Sequence, residues 1–160
     1  MGRSAATADG VAGMVLTGVA VAGKLELNKH YQLSGTADLV TLGVTADNNP
    51  LVYKEVTAFY EQAGDGSELH LLVVAEATTL AQMCDSVAGS PLRKLIDASG
   101  GRVRLVGVNK LPPADYTADT SQGIDGDAIT AAEKVQAVIE SYATGQVNPF
   151  RVLMPAPAFD

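Results

Sequence analysis

The sequence predicts an α/β domain, a mixed sheet flanked by helices, from three observations. The segments Glu68–Ala75 and Arg102–Val108 become almost continuously apolar, as strands covered on both faces do. Around them lie stretches of helical spacing that open at proline or a Thr/Asp cap and close at glycine. The chain has 160 residues, 47% of them apolar and 18% charged. Such a length buries roughly 70% of the unfolded surface in one domain, and the composition is not that of a disordered chain.

Taken in order, residues 1–13 are small and glycine-rich and are expected to be a flexible N-terminal segment, leaving 14–160 as a single domain. Met14–Val21 has β-branched content between glycines, and His30–Leu33 is a second short strand; both are expected at the sheet edge or periphery. Thr36 is placed to cap a helix of about two turns that stops at Gly43. Asn49-Pro50 opens the clearest helix, because proline at the first helical position loses no hydrogen bond. Val52, Val56, Phe59, Tyr60 and Ala63 share one face of it. Gly64-Asp-Gly-Ser67 ends that helix and turns the chain into Glu68–Ala75, the expected central strand.

Thr78 or Thr79 caps a second helix to about Val87, and Ser90-Pro91 starts a third that ends at Ser99-Gly100-Gly101. Arg102–Val108 then lies parallel to the first core strand by the right-handed crossover rule. Asn109–Gly126 is a long loop rich in Pro, Asp, Thr and Gly. Asp127 caps an amphipathic helix to Tyr142 whose stripe is Ala128, Ala131, Ala132, Val135, Val138, Ile139 and Tyr142. A last short strand runs within Pro149–Pro155. The expected sheet is thus built on 68–75, 102–108 and 151–155, between helices at 50–63 and 127–142.

Composition excludes several functions. Eleven Lys+Arg against 18 Asp+Glu give a formal charge of −7, and the scattered basic residues do not make a nucleic-acid footprint. Asp9 and recurrent glycines break the apolar start, so neither a signal peptide nor a membrane span is predicted. Cys84, the single cysteine, cannot form an internal disulfide, which predicts an intracellular chain; with His30 and His70 alone beside it, a structural zinc site has no ligand set.

Individual residues read as structural. Gly64-Asp-Gly66 lies between a helix and a following strand, the wrong polarity for phosphate at a helix N-terminus, and no GxGxxG or Walker sequence occurs. Asp125-Gly-Asp127 reads as a turn and cap, since it lacks the other oxygen ligands of a calcium loop. His70, mid-strand among apolar residues, reads as a packed residue and Cys84 as a small buried hydrophobe. Aromatics, at 5% and without tryptophan, offer no stacking platform. No catalytic, cofactor-binding or metal-ligating residue is assigned, and no enzyme activity or cofactor is expected.

Three blocks in order carry a resemblance: His30-Tyr-Gln-Leu-Ser-Gly-Thr-Ala-Asp-Leu-Val-Thr-Leu-Gly-Val44, Asn49-Pro-Leu-Val-Tyr-Lys-Glu-Val-Thr-Ala-Phe-Tyr60 and Gly64-Asp-Gly-Ser-Glu-Leu-His-Leu-Leu-Val-Val74. Over about residues 12 to 75 the sequence resembles contractile tail sheath proteins of bacteriophages and related injection systems. In that family a short strand leads to a helix ending in glycine, then a helix with a Phe-Phe/Tyr pair, a glycine turn and an apolar strand. The resemblance implies a structural subunit, without cofactor or active site, that forms a homo-oligomeric lattice around a tail tube protein and contracts to drive injection. It implies a place in the virion tail, assembled in the bacterial cytoplasm, with no nucleic-acid or membrane partner. Lattice links in the family are largely strand additions from terminal arms. The family pattern continues into a C-terminal domain and arm past the strand at Val152–Pro155, so this chain is expected to be a fragment, an expressed segment or a trimmed relative.

Sheet edges and the Asn109–Gly126 loop are the expected contact surfaces. The rival function is a small doubly wound enzyme or nucleotide-binding module, with its site at Ala75–Thr78 and Val108–Lys110. An adaptor domain that does not polymerise is the third class.

Overall fold

A computed structural model of the chain describes residues 11–112, 114–117, 123–145 and 149–155. The strands are β1 (Ala12–Gly18), β2 (His30–Leu33), β3 (Leu69–Ala75), β4 (Leu105–Asn109) and β5 (Arg151–Leu153). The helices are α1 (Ala37–Thr41), α2 (Pro50–Ala63), α3 (Leu80–Met83), α4 (Pro91–Ala98) and α5 (Gly126–Ala143). Among the described residues the strands form one sheet in the order β2-β3-β1-β4-β5. β1, β3, β4 and β5 run parallel, and β2 pairs antiparallel with β3 at one edge. The mixed sheet with helices on it is the α/β class expected from the sequence.

The strand alternation divides the core in two. Leu16, Leu69, Leu71 and Val73 point to one face, beneath α1 and α2 with Leu39, Val52, Val56 and Tyr60. Val15, Leu72, Val74, Val106 and Val108 point to the other, where Leu80, Leu92, Leu95, Ala131, Val135 and Val138 from α3, α4 and α5 close over them. Connections that run in opposite directions along the sheet lie on opposite faces, as a constant crossover hand requires: α2 between β1 and β3 on one side, α4 and α5 on the other.

The expectation that Met14–Val21 is peripheral is corrected: the strand starts at Ala12 and is the middle strand, between β3 and β4. Its glycines admit close neighbours instead of marking an edge. A Cβ at Gly13 would lie 2.5 Å from Cδ2 of Leu95, so the bare backbone there is what lets α4 sit on the sheet. A Cβ at Gly18 would collide with Oδ1 of Asn49. Glu68–Ala75, expected at the centre, is β3, one place from it and buried on both faces from Leu69 to Val74.

Local boundaries also differ from expectation. Thr36 makes no side-chain cap bond; the Asp38 carboxylate accepts from the Ser34 and Gly35 amides instead, at 2.7 and 3.3 Å. Thr79 caps α3 in a reciprocal box with Gln82, yet the helix stops at Met83, not Val87, because the Asp85 carboxylate accepts from Val87 N–H and offers the backbone a turn. The fourth strand starts at Leu105, not Arg102: the Arg102 amide and guanidinium both donate to the Ser99 carbonyl and hold the chain to the end of α4. The cap of α5 is Asp125, which accepts from Asp127 N–H at 3.0 Å, and not Asp127.

Candidate functional site

A parallel sheet is covered on both faces when helices follow each strand, and among the described residues the cover is incomplete. α1 and α2 lie over β2, β3 and β1, but no described element continues their layer over β4 and β5. On that side β4 presents Leu105, Gly107 and Asn109, and β5 presents Arg151 and Leu153. Leu105 is 40% exposed and Leu153 60% exposed, while Val106 and Val108 on the opposite side are sealed in the core.

Register explains the shape of this surface. Gly107 pairs with Met14 on one side and Leu153 on the other. With no side chain between those two residues, the sheet has a depression of about 240 Å³. Its floor is Met14, Leu16 and Gly107, its outer rim Leu153 and Pro155, and its inner wall Glu55 of α2. Asn109 Nδ2 donates to Glu55 Oε1 at 3.4 Å, so one wall is polar and the other apolar. No described strand lies beyond β5, whose three residues leave an unpaired edge. The arrangement is a largely apolar strip, with Arg151 beside Leu105, next to a backbone edge that no described strand pairs.

The carboxyl ends of β1, β3 and β4 come together as the doubly wound reading requires, with the switch of direction between β1 and β4. Ala75–Thr78 and Val108–Lys110 flank the end of β1 there, but the described groups of the crevice satisfy one another. Asp127 reaches from α5 and accepts from the Leu80 and Ala81 amides at 2.8 and 3.0 Å, so the chain's own carboxylate takes the anion position at the start of α3. Lys110 Nζ stands 3.7 Å from Asp127 and over the Tyr116 ring. Leu111 N–H donates to buried Thr17 Oγ1 at 2.9 Å, and the Tyr116 hydroxyl donates to Asp125, which folds the described part of the Asn109–Gly126 loop onto the domain. Residues 113 and 118–122 of that loop lie outside the described residues. Asp127→Ala is expected to cost about 2 kcal/mol, because two helix amides lose a charged acceptor; urea unfolding measures it, and a change below about 0.5 kcal/mol would contradict the assignment.

Among the residues singled out from sequence, Cys84 is fully buried and its Sγ lies 3.8 Å from Met154 Sδ. Burial, with the Asp127 charge nearby, pushes its thiol up to about 12, the state of an unreactive core cysteine. Gly64 and Gly66 take positive φ in the turn before β3, as expected. His70 is buried, but it is not isolated: Nε2 lies 2.7 Å from Glu68 Oε1 and Nδ1 lies 2.7 Å from His30 Nε2. Sequence spacing did not connect His30 to His70, because only the antiparallel register of β2 on β3 brings them diagonally together.

Among the described residues no group of three or more His, Cys, Asp or Glu could hold a metal ion, and no helix is long and apolar enough to cross a membrane. The chain has no significant match to a curated protein or to a solved structure. The family model described as DUF2586, N-terminal domain, matches residues 1–160, and the chain therefore belongs to the DUF2586 family.

Proposed function

We propose that the chain is a structural domain of a contractile tail sheath, which assembles with other copies of itself around a tail tube protein and moves with the lattice during contraction. The observation that carries this reading is the apolar side of β4 and β5 that no described element covers, beside a strand edge that no described strand pairs. An exposed edge is a template for an added strand, and a neighbouring apolar strip gives that strand side-chain purchase. The sequence resemblance supports it independently, since its three blocks correspond to β2 with α1, to α2, and to the glycine turn with β3. In this reading the domain is not an enzyme, and its place is the virion tail, assembled in the bacterial cytoplasm.

The test is negative-stain electron microscopy of the protein expressed from its complete reading frame, wild type beside a Leu105→Lys/Leu153→Lys variant. Striated tubes or rings from the wild type are expected, lost in a variant whose melting temperature is unchanged because both side chains are already exposed. Dispersed monomers from the wild type at every salt and concentration would overturn the sheath reading. Assembly unaffected by the two lysines would overturn the role given to this face.

A second reading, a small doubly wound enzyme or nucleotide-binding module, is favoured by the switch point between β1 and β4. The Asp127 carboxylate on the α3 amides weighs against it, because a phosphate would have to displace a fixed negative charge. Thermal shift with mono- and dinucleotides separates the two: saturable stabilisation supports the module.

A further inference from the structure

We propose that His30 and His70 form a proton-operated latch that holds the edge strand β2 on β3 and lets it go when both rings are protonated. The geometry is a continuous chain of polar groups on the α4 side of the sheet. Arg102 Nη1 lies 2.7 Å from Glu68 Oε1, the same oxygen lies 2.7 Å from His70 Nε2, and His70 Nδ1 lies 2.7 Å from His30 Nε2. The two imidazoles are separated by 4.9 Å between centroids at an interplanar angle of 22°, the arrangement of rings joined end to end through their nitrogens. His70 is 1% exposed and His30 is half-buried.

Proton positions follow from what each group can do. The Glu68 carboxylate only accepts, so His70 Nε2 carries a hydrogen and, in the neutral ring, Nδ1 carries a lone pair. His30 Nε2–H is then the donor to His70 Nδ1. A first added proton goes to the outer Nδ1 of His30 and leaves every hydrogen bond in place. A second must go to His70 Nδ1, where it meets the His30 N–H: two donors and two cations face each other inside 2.7 Å. The rings have to separate, and because His30 is the first residue of β2, separation pulls the strand from its partner.

The surrounding charges set the direction. From β3 the facing groups are His70 and Glu68, and from the segment before β4 it is Arg102. From α4, which packs on both β2 and β3, Lys94 donates its Nζ to the Asn28 carbonyl, two residues before His30. Next to His30 on its own strand segment, Lys29 is paired with Glu26 at 2.6 Å. Burial first, and then the neighbouring His70, hold the His30 ring below its ordinary value of 6.5. Burial pushes Glu68 up, but hydrogen bonds from His70 and Arg102 outweigh it and leave the carboxyl below its ordinary 4.5. Both groups bind protons less readily folded than unfolded. Their contribution to stability is therefore complete above 6.5, falls first through His30 as the pH drops below that value, and falls again through Glu68 below 4.5.

The test reads tautomers and strand protection. Long-range ¹⁵N–¹H spectra at pH 7.5 are expected to show protonated Nε2 on both histidines. Amide exchange, corrected for intrinsic rates, is expected to lose at least tenfold protection across residues 30–33 between pH 7.5 and pH 5, while β1 keeps its protection. His30→Gln, whose amide can donate to or accept from His70 Nδ1 at any pH, is expected to lose less than twofold. Protection of β2 that does not change with pH, or that falls equally in His30→Gln, overturns the latch. An unprotonated His30 Nε2 at pH 7.5 does so without any variant.

Discussion

Asn49→Leu is expected to destabilise the domain by about 3 kcal/mol, although it keeps the side-chain volume. Asn49 is 1% exposed and sits where β1 ends. Its Oδ1 accepts from Val19 N–H at 2.8 Å and its Nδ2 donates to the Val19 carbonyl at 3.2 Å, so one side chain satisfies both backbone groups of the residue after β1. Leucine removes both partners and blocks water from replacing them, which leaves a donor and an acceptor unmet at a partly buried position. Asn49→Ala leaves room for water and is expected to cost less. Urea unfolding with an unchanged slope is the measurement; equal stabilities for Leu and Ala variants would refute the backbone-pairing role. The same contact accounts for Gly18, because any side chain there would displace Asn49 Oδ1.

The second large effect is a coupling between β1 and α4. Leu95→Ala is expected to cost about 3 kcal/mol, since it empties a fully buried position between the sheet and α4. Gly13→Ala alone is expected to cost about 1 to 3 kcal/mol by overpacking, because its new methyl would meet Leu95 Cδ2 at 2.5 Å with Leu95 Cγ and Val103 Cγ1 at 3.5 Å. Together the two changes should cost less than their sum, by about 1 kcal/mol or more, because the methyl enters the space that Leu95 vacates. Chemical denaturation of the three variants closes the cycle. Strict additivity would mean that α4 is not seated on Gly13.

The α2 helix was legible from end to end, because Pro50 fixes its first turn, Gly64 ends it, and Val52, Val56 and Tyr60 mark its buried face locally. Glu68–Ala75 was legible as a strand because burial on both faces leaves an uninterrupted apolar run. Met14–Val21 was legible as a strand but not as the centre of the sheet: the meaning of Gly13 and Gly18 depends on Leu95 and Asn49, which lie 82 and 31 residues away in sequence by subtraction of their numbers. Asp127 was misplaced as a cap for the same reason. Its carboxylate serves α3 across the fold, while Asp125, two residues earlier, does the local work.

The candidate surface was partly legible. Sheet edges were expected as contacts, but which side of β4 and β5 lies open depends on where the α1–α2 layer stops, and no residue of those strands records that. His70 was legible as a packed residue; its pairing with His30 appeared only with the register of β2 on β3.

By itself the sequence determined the α/β class, the kind and order of most elements and the faces that helices bury, because these follow from the residue periodicities of 2 and 3.6 and from caps and glycine stops within a few residues. Tertiary structure alone decided which strand is central, which carboxylate fills the start of α3, which strip of sheet is left uncovered and which histidines meet, because each is a contact between residues that the chain brings together only when the sheet closes in the order β2-β3-β1-β4-β5.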